Sequence, residues 1–84
     1  MTRFGSVGWP EFQRFWESHG FTFKTTKIIS ASKRISDGST LEVTGAGVII
    51  YKYQREATKA SESETFEEAL RDMNKLAQEF GGWA

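Results

Sequence analysis

Hydrophobic positions along the chain change their rhythm several times, and each change marks a predicted element. From Pro10 to His19 the residues Phe12, Phe15, Trp16 and His19 recur at helical spacing and form one aromatic stripe. Pro10 suits the first helical position, where a missing N–H costs nothing, and Gly20 suits the residue after the last turn. From Phe21 to Ile35 the chain is rich in β-branched and aromatic residues, which predicts a long strand. Ser36-Asp37-Gly38-Ser39 is a turn signal, and Thr40 to Tyr53 reads as the returning strand.

Alternation within these strands predicts their register. Leu41, Val43, Gly45, Gly47, Ile49, Tyr51 and Tyr53 share one face of the second strand. Phe21, Phe23, Thr25, Ile29, Ala31 and Ile35 share a face of the first, with Lys27 and Lys33 intruding. Bringing the two faces together requires opposed residues whose numbers have an even sum. A three-residue loop, Asp37-Gly38-Ser39, does this and sets Ile29 opposite Gly47 and Ala31 opposite Gly45. A second turn at Gly45-Ala46-Gly47 is the alternative and would give three strands.

Residues 55–64 are polar and aperiodic and read as a mobile connection. Helical rhythm then returns in Phe66, Ala69, Leu70, Met73, Leu76, Ala77 and Phe80. Thr65 and Glu68 have capping-box spacing at its start, and Gly81-Gly82 stops it. The order predicts a single small α+β domain over residues 1–84. It consists of a helix, a long antiparallel β-hairpin or three strands, and a C-terminal helix packed on the sheet. Trp83 lies beyond that helix, where it folds back on the core or meets a partner.

Composition narrows the chemistry. The chain has 84 residues, no cysteine and one histidine. Disulfides, thiol catalysis and cysteine-containing zinc sites are excluded. A secreted domain this small would often need such staples, so an intracellular, cytoplasmic location is expected. No apolar run approaches the ~20 residues of a membrane helix. His19 has no nucleophile or orienting carboxylate at a useful spacing, and no calcium-loop pattern occurs among the glutamates. Gly45-Ala46-Gly47 lacks the lysine and serine of a phosphate loop. No catalytic residue, metal ligand, cofactor or small-molecule substrate is predicted.

Two binding expectations remain. Ile28, Val48 and Ile50 lie on the strand face opposite the main core, with Ile28 directly across from Val48 in the argued register. Three branched aliphatics there mark either the seat of the first helix or an interface. The first expectation is therefore a non-enzymatic, protein-binding accessory or inhibitor protein. It would be of the compact kind that phages and mobile elements encode, and would act as a homodimer. Its contacts would be Ile28, Val48 and Ile50, with Trp16 and Trp83.

The second expectation arises from charge. The net charge is zero, yet residues 1–34 hold six cationic side chains against two carboxylates, and residues 60–84 hold the reverse. The basic side of the hairpin, Lys24, Lys33, Arg34, Lys52 and Arg55, could then bind nucleic acid. Phe21, Phe23, Tyr51 and Tyr53 are not expected to stack on bases, because they share the face assigned to the core.

Overall fold

A computed structural model describes residues 1–84. The order is α1 (Trp9–Ser18), β1 (Thr22–Thr25), β2 (Ile29–Arg34), β3 (Thr40–Thr44), β4 (Val48–Tyr53), β5 (Glu56–Glu62) and α2 (Phe66–Glu79). The five strands form one antiparallel meander in chain order. The fold is α+β, with the C-terminal helix on the sheet as the pattern predicts, but with five strands rather than two or three.

Both helices end in the same way. Gly20, at φ +84°, follows α1, and Phe21 N–H reaches the Trp16 carbonyl while Gly20 N–H reaches that of Glu17. Gly81, at φ +105°, follows α2, and Gly82 N–H reaches Ala77 while Gly81 N–H reaches Gln78. Each is a Schellman closure, whose left-handed residue glycine adopts without strain. The first also fixes packing, because Phe21 lies edge-on to Trp16 with ring centres 5.0 Å apart.

α1 lies over β1 and β2, and α2 over β3, on the same face of the sheet. Between them Phe12, Trp16, Phe21, Ala31, Ile35, Leu41, Val43, Ile49, Phe66, Ala69, Met73 and Ala77 are buried. The reading in which α1 covers the opposite face is therefore corrected. Phe12 and Phe66 meet edge to face at 5.7 Å, which joins the helices directly. No layer packs on the second sheet face.

Two strand assignments are corrected, and of the two readings of Gly45-Ala46-Gly47 the turn is the one observed. The long first strand breaks at Thr26–Ile28 into β1 and β2, and the returning strand breaks at Gly45–Gly47 into β3 and β4. Residues 56–62 of the expected mobile connection are a strand, β5, on the sheet edge. β2 pairs with β3 so that Ala31 faces Val43 and Arg34 faces Thr40. The even sum holds, but the loop centres one residue earlier than expected. Ala31 therefore does not face Gly45, and Ile29 does not face Gly47.

The ends of the chain are tied to the sheet. Phe4 N–H donates to the Glu64 carbonyl and Phe66 N–H to that of Thr2. Trp83 bridges to Ile35, with Ser36 N–H on the Gly82 carbonyl and Ala84 N–H on that of Arg34. No helix is long and apolar enough to cross a membrane.

Candidate nucleic-acid interface

The uncovered sheet face follows from the register. Across the strands, one row runs Thr22, Ser32, Glu42, Ile50, Lys59, and the next runs Arg34, Thr40, Lys52, Ala57. Every second residue of each strand faces away from the helices, and these positions are hydroxyls, charges and the aliphatics Val48, Ile50 and Ala57.

An open groove of about 710 Å³ crosses this face from β1 to β4. Its cationic lining comes from Lys24, Lys33, Arg34 and Lys52, against the one carboxylate of Glu42. Thr22, Ser32 and Thr40 supply hydroxyls between them. Four of the five basic residues expected from the sequence therefore meet in one place. Arg55 does not line the groove. It is exposed in the two-residue β4–β5 turn, beside Gln54, which does line it.

The four cations are not equivalent. Lys24 and Arg34 are exposed and form no ion pair. Lys52 Nζ lies 3.2 Å from the Glu42 carboxylate, whose side chain is only 14% exposed. Lys33 pairs with Leu41, a core residue, so its stem points toward the helices. Its ammonium emerges at the groove edge, donates to the His19 carbonyl at 3.1 Å and sits 4.8 Å from the Trp83 ring centre. That bond places a positive charge at the negative end of α1. Lys33 is thus engaged in holding the fold and contributes only its field to the groove.

The residues expected to form a protein interface do not converge. Trp16 is fully buried in the core and cannot touch a partner. Trp83 is half-buried against the core, with its Nε1 donating to Asn74 Oδ1 at 2.8 Å. Ile28 lies in the β1–β2 turn and is 57% exposed. It does not face Val48, because β3 lies between β2 and β4. Ile28 instead lines a hollow of about 330 Å³ with Ile29, Thr44, Gly45 and Ala46. Val48 and Ile50 stay together on β4, half-buried.

Three of the four aromatic positions follow the sequence argument, whereas Tyr53, expected on the core face, is 46% exposed at the end of β4. Phe21 and Phe23 belong to the core side, and Tyr51 stacks on Phe80 with ring centres 4.8 Å apart. None of them lines the groove. His19 caps the end of α1, and its ring packs against Phe15 at 4.8 Å. No three histidine, aspartate or glutamate side chains come together. Comparisons with protein-family models, curated proteins and solved structures give no match.

Proposed function

We propose that the protein binds single-stranded nucleic acid along the groove of its uncovered sheet face. One observation carries the reading: Lys24, Arg34 and Lys52 line a single open groove together with Thr22, Ser32 and Thr40. Lysine, arginine and short hydroxyl side chains are the groups that contact phosphate and sugar. A major groove admits a helix or a two-stranded ribbon, so a face five strands wide suits a flexible single strand instead. No aromatic ring lines the groove. Contacts therefore fall on the backbone, base sequence matters little, and affinity is modest, at about 10–100 µM near physiological salt.

Fluorescence anisotropy with a labelled single strand and a labelled duplex tests the reading. The two unpaired cations, Lys24 and Arg34, neutralise two phosphates on a single strand and give a slope of about −1.4 for log affinity against log salt. Lys24→Glu with Arg34→Glu removes binding while leaving the melting temperature nearly unchanged, because both side chains are exposed and unpaired. Absence of binding at low salt, or binding indifferent to this pair, overturns the proposal.

A second reading rests on the exposed Ile28 and the half-buried Val48 and Ile50. These aliphatics favour contact with another protein, including a second copy of the chain. Sedimentation of the wild type and of Val48→Lys separates the two readings. A dimer that the substitution dissociates supports a protein interface, and a monomer in both samples removes the homodimer.

A further inference from the structure

Resting on the groove reading, we infer that Glu42 makes the groove selective for RNA over DNA by accepting a hydrogen bond from a ribose 2′-hydroxyl. The inference begins with a misfit. A groove that served phosphates alone would gain nothing from a carboxylate on its floor, since like charges repel strongly where water is partly excluded. Yet Glu42 lies on the central strand β3, flanked in register by Ser32 on β2 and Ile50 on β4. Its side chain is only 14% exposed, and its one ion-pair partner is Lys52.

An ionised carboxylate has several acceptor positions and no donor. Lys52 reaches it from one side, with Nζ 3.2 Å from both oxygens, Oε1 in the ion pair and Oε2 in the hydrogen bond. Lone pairs remain toward the groove. The group that fits them must donate a hydrogen bond, must lie close to phosphates, and must recur along the ligand whatever its base sequence. A DNA backbone carries no donor at all. The ribose 2′-hydroxyl is a donor beside every phosphate, and it is the group by which a protein distinguishes RNA from DNA. Ser32 and Thr40, in the same groove, can accept or donate to the same sugar.

Lys52 and Glu42 then divide the task. The lysine offsets part of the carboxylate charge, so a polyanion can approach. The carboxylate makes any ligand without a donor at that point pay its repulsion unrelieved. DNA loses a bond that RNA makes.

Three probes of equal length test this: oligouridylate, its 2′-O-methyl form and oligodeoxyuridylate. The methylated sugar keeps the oxygen but replaces the donated hydrogen with a methyl group, and the deoxy sugar, which lacks the donor without adding bulk, controls for the size of that methyl. Oligouridylate should bind about tenfold tighter than either of the others, the value of one hydrogen bond to a charged group. In Glu42→Ala, checked for folding by its melting curve, the three affinities should converge, with the deoxy probe binding tighter than it does to the wild type. Should that variant fail to fold, the wild-type comparison of ribose with 2′-O-methyl ribose still decides. Equal, salt-sensitive binding of all three probes overturns the RNA preference and leaves the groove reading standing. Failure of all three to bind overturns the groove reading itself. A Glu42→Ala gain shared equally by the three probes would make the carboxylate a mere repulsive charge, and would also overturn the preference.

Discussion

The ammonium of Lys33 stands 4.8 Å from the centre of the Trp83 ring, and its only hydrogen bond is to the His19 carbonyl. It also lies 5.6 Å from the Phe21 ring. One side chain thereby joins the end of α1, the start of the sheet and the C-terminal tail. Lys33→Met keeps the apolar stem and removes the charge. Urea unfolding should show a loss of about 2 kcal/mol, the sum of a partly exposed cation–π contact and one hydrogen bond from a charged donor. An unchanged midpoint would mean that the backbone bridge, the Trp83–Asn74 hydrogen bond and the packing of the Trp83 ring hold the tail without help from Lys33.

Gly47 and Gly38 provide a matched pair. Both have positive φ, +86° and +93°. A Cβ on Gly38 meets open space, whereas one on Gly47 would lie 2.2 Å from the Ser63 carbonyl oxygen. Gly38→Ala should cost about 1–2 kcal/mol, the strain of a left-handed alanine. Gly47→Ala carries that strain and must also push β5 away from the turn, so it should leave little folded protein at physiological temperature. Equal melting temperatures for the two variants would contradict the close approach.

Stability should fall in acid through two carboxylates. Asp37 accepts from the Ser39 hydroxyl and, at 2.9 Å, from the Ser39 N–H, and these bonds hold its carboxyl below the usual range. Glu67 accepts from the Thr2 N–H at 2.8 Å and is lowered for the same kind of reason. A carboxyl whose folded pKa is depressed stabilises the fold above its unfolded pKa, and that contribution disappears as pH falls through the folded value. Melting temperatures should therefore hold steady from neutrality to about pH 5 and drop below about pH 4. The drop should be smaller in Asp37→Asn with Glu67→Gln. An equal drop in that double variant would place the acid sensitivity elsewhere.

Thr65 caps α2 by accepting from the Glu68 N–H at 3.2 Å. The reciprocal arm expected of a capping box is not formed, and the neighbouring Glu67 reaches the N-terminal segment instead. Thr65→Ala should cost about 1 kcal/mol in denaturant unfolding. Glu68→Ala should cost measurably less, since its carboxylate forms no cap bond. A larger loss at Glu68 would restore the full box.

Both helices were legible because their boundaries are written in local chemistry: Thr65 at one start, Gly20 and Gly81 at the two ends. Each boundary falls within one residue of its expected place. The sheet was legible only in part. The Thr26–Ile28 turn contains no glycine, proline or asparagine, so nothing in Thr25-Thr26-Lys27-Ile28 distinguishes a turn from a β-branched strand. β5 was missed for a different reason. It is an edge strand whose residues are nearly all exposed, so no period-two burial marks it. The groove was visible as a set of basic residues, because Lys24, Arg34 and Lys52 all have even numbers on strands paired with even sums. Lys33, one position out of phase, could be assigned only by its contacts.

The meander also bears on how the chain acquires its shape. Every strand pairs with its immediate neighbours in sequence, so the sheet can zip up from its short turns without first closing a long loop. The pairings of high sequence separation belong to the ends: Phe4 with Glu64, and Trp83 with Ile35. Folding should thus proceed from the middle outward on a fast, local route, with the two termini locking last. The same contacts should be the first to open under mild stress.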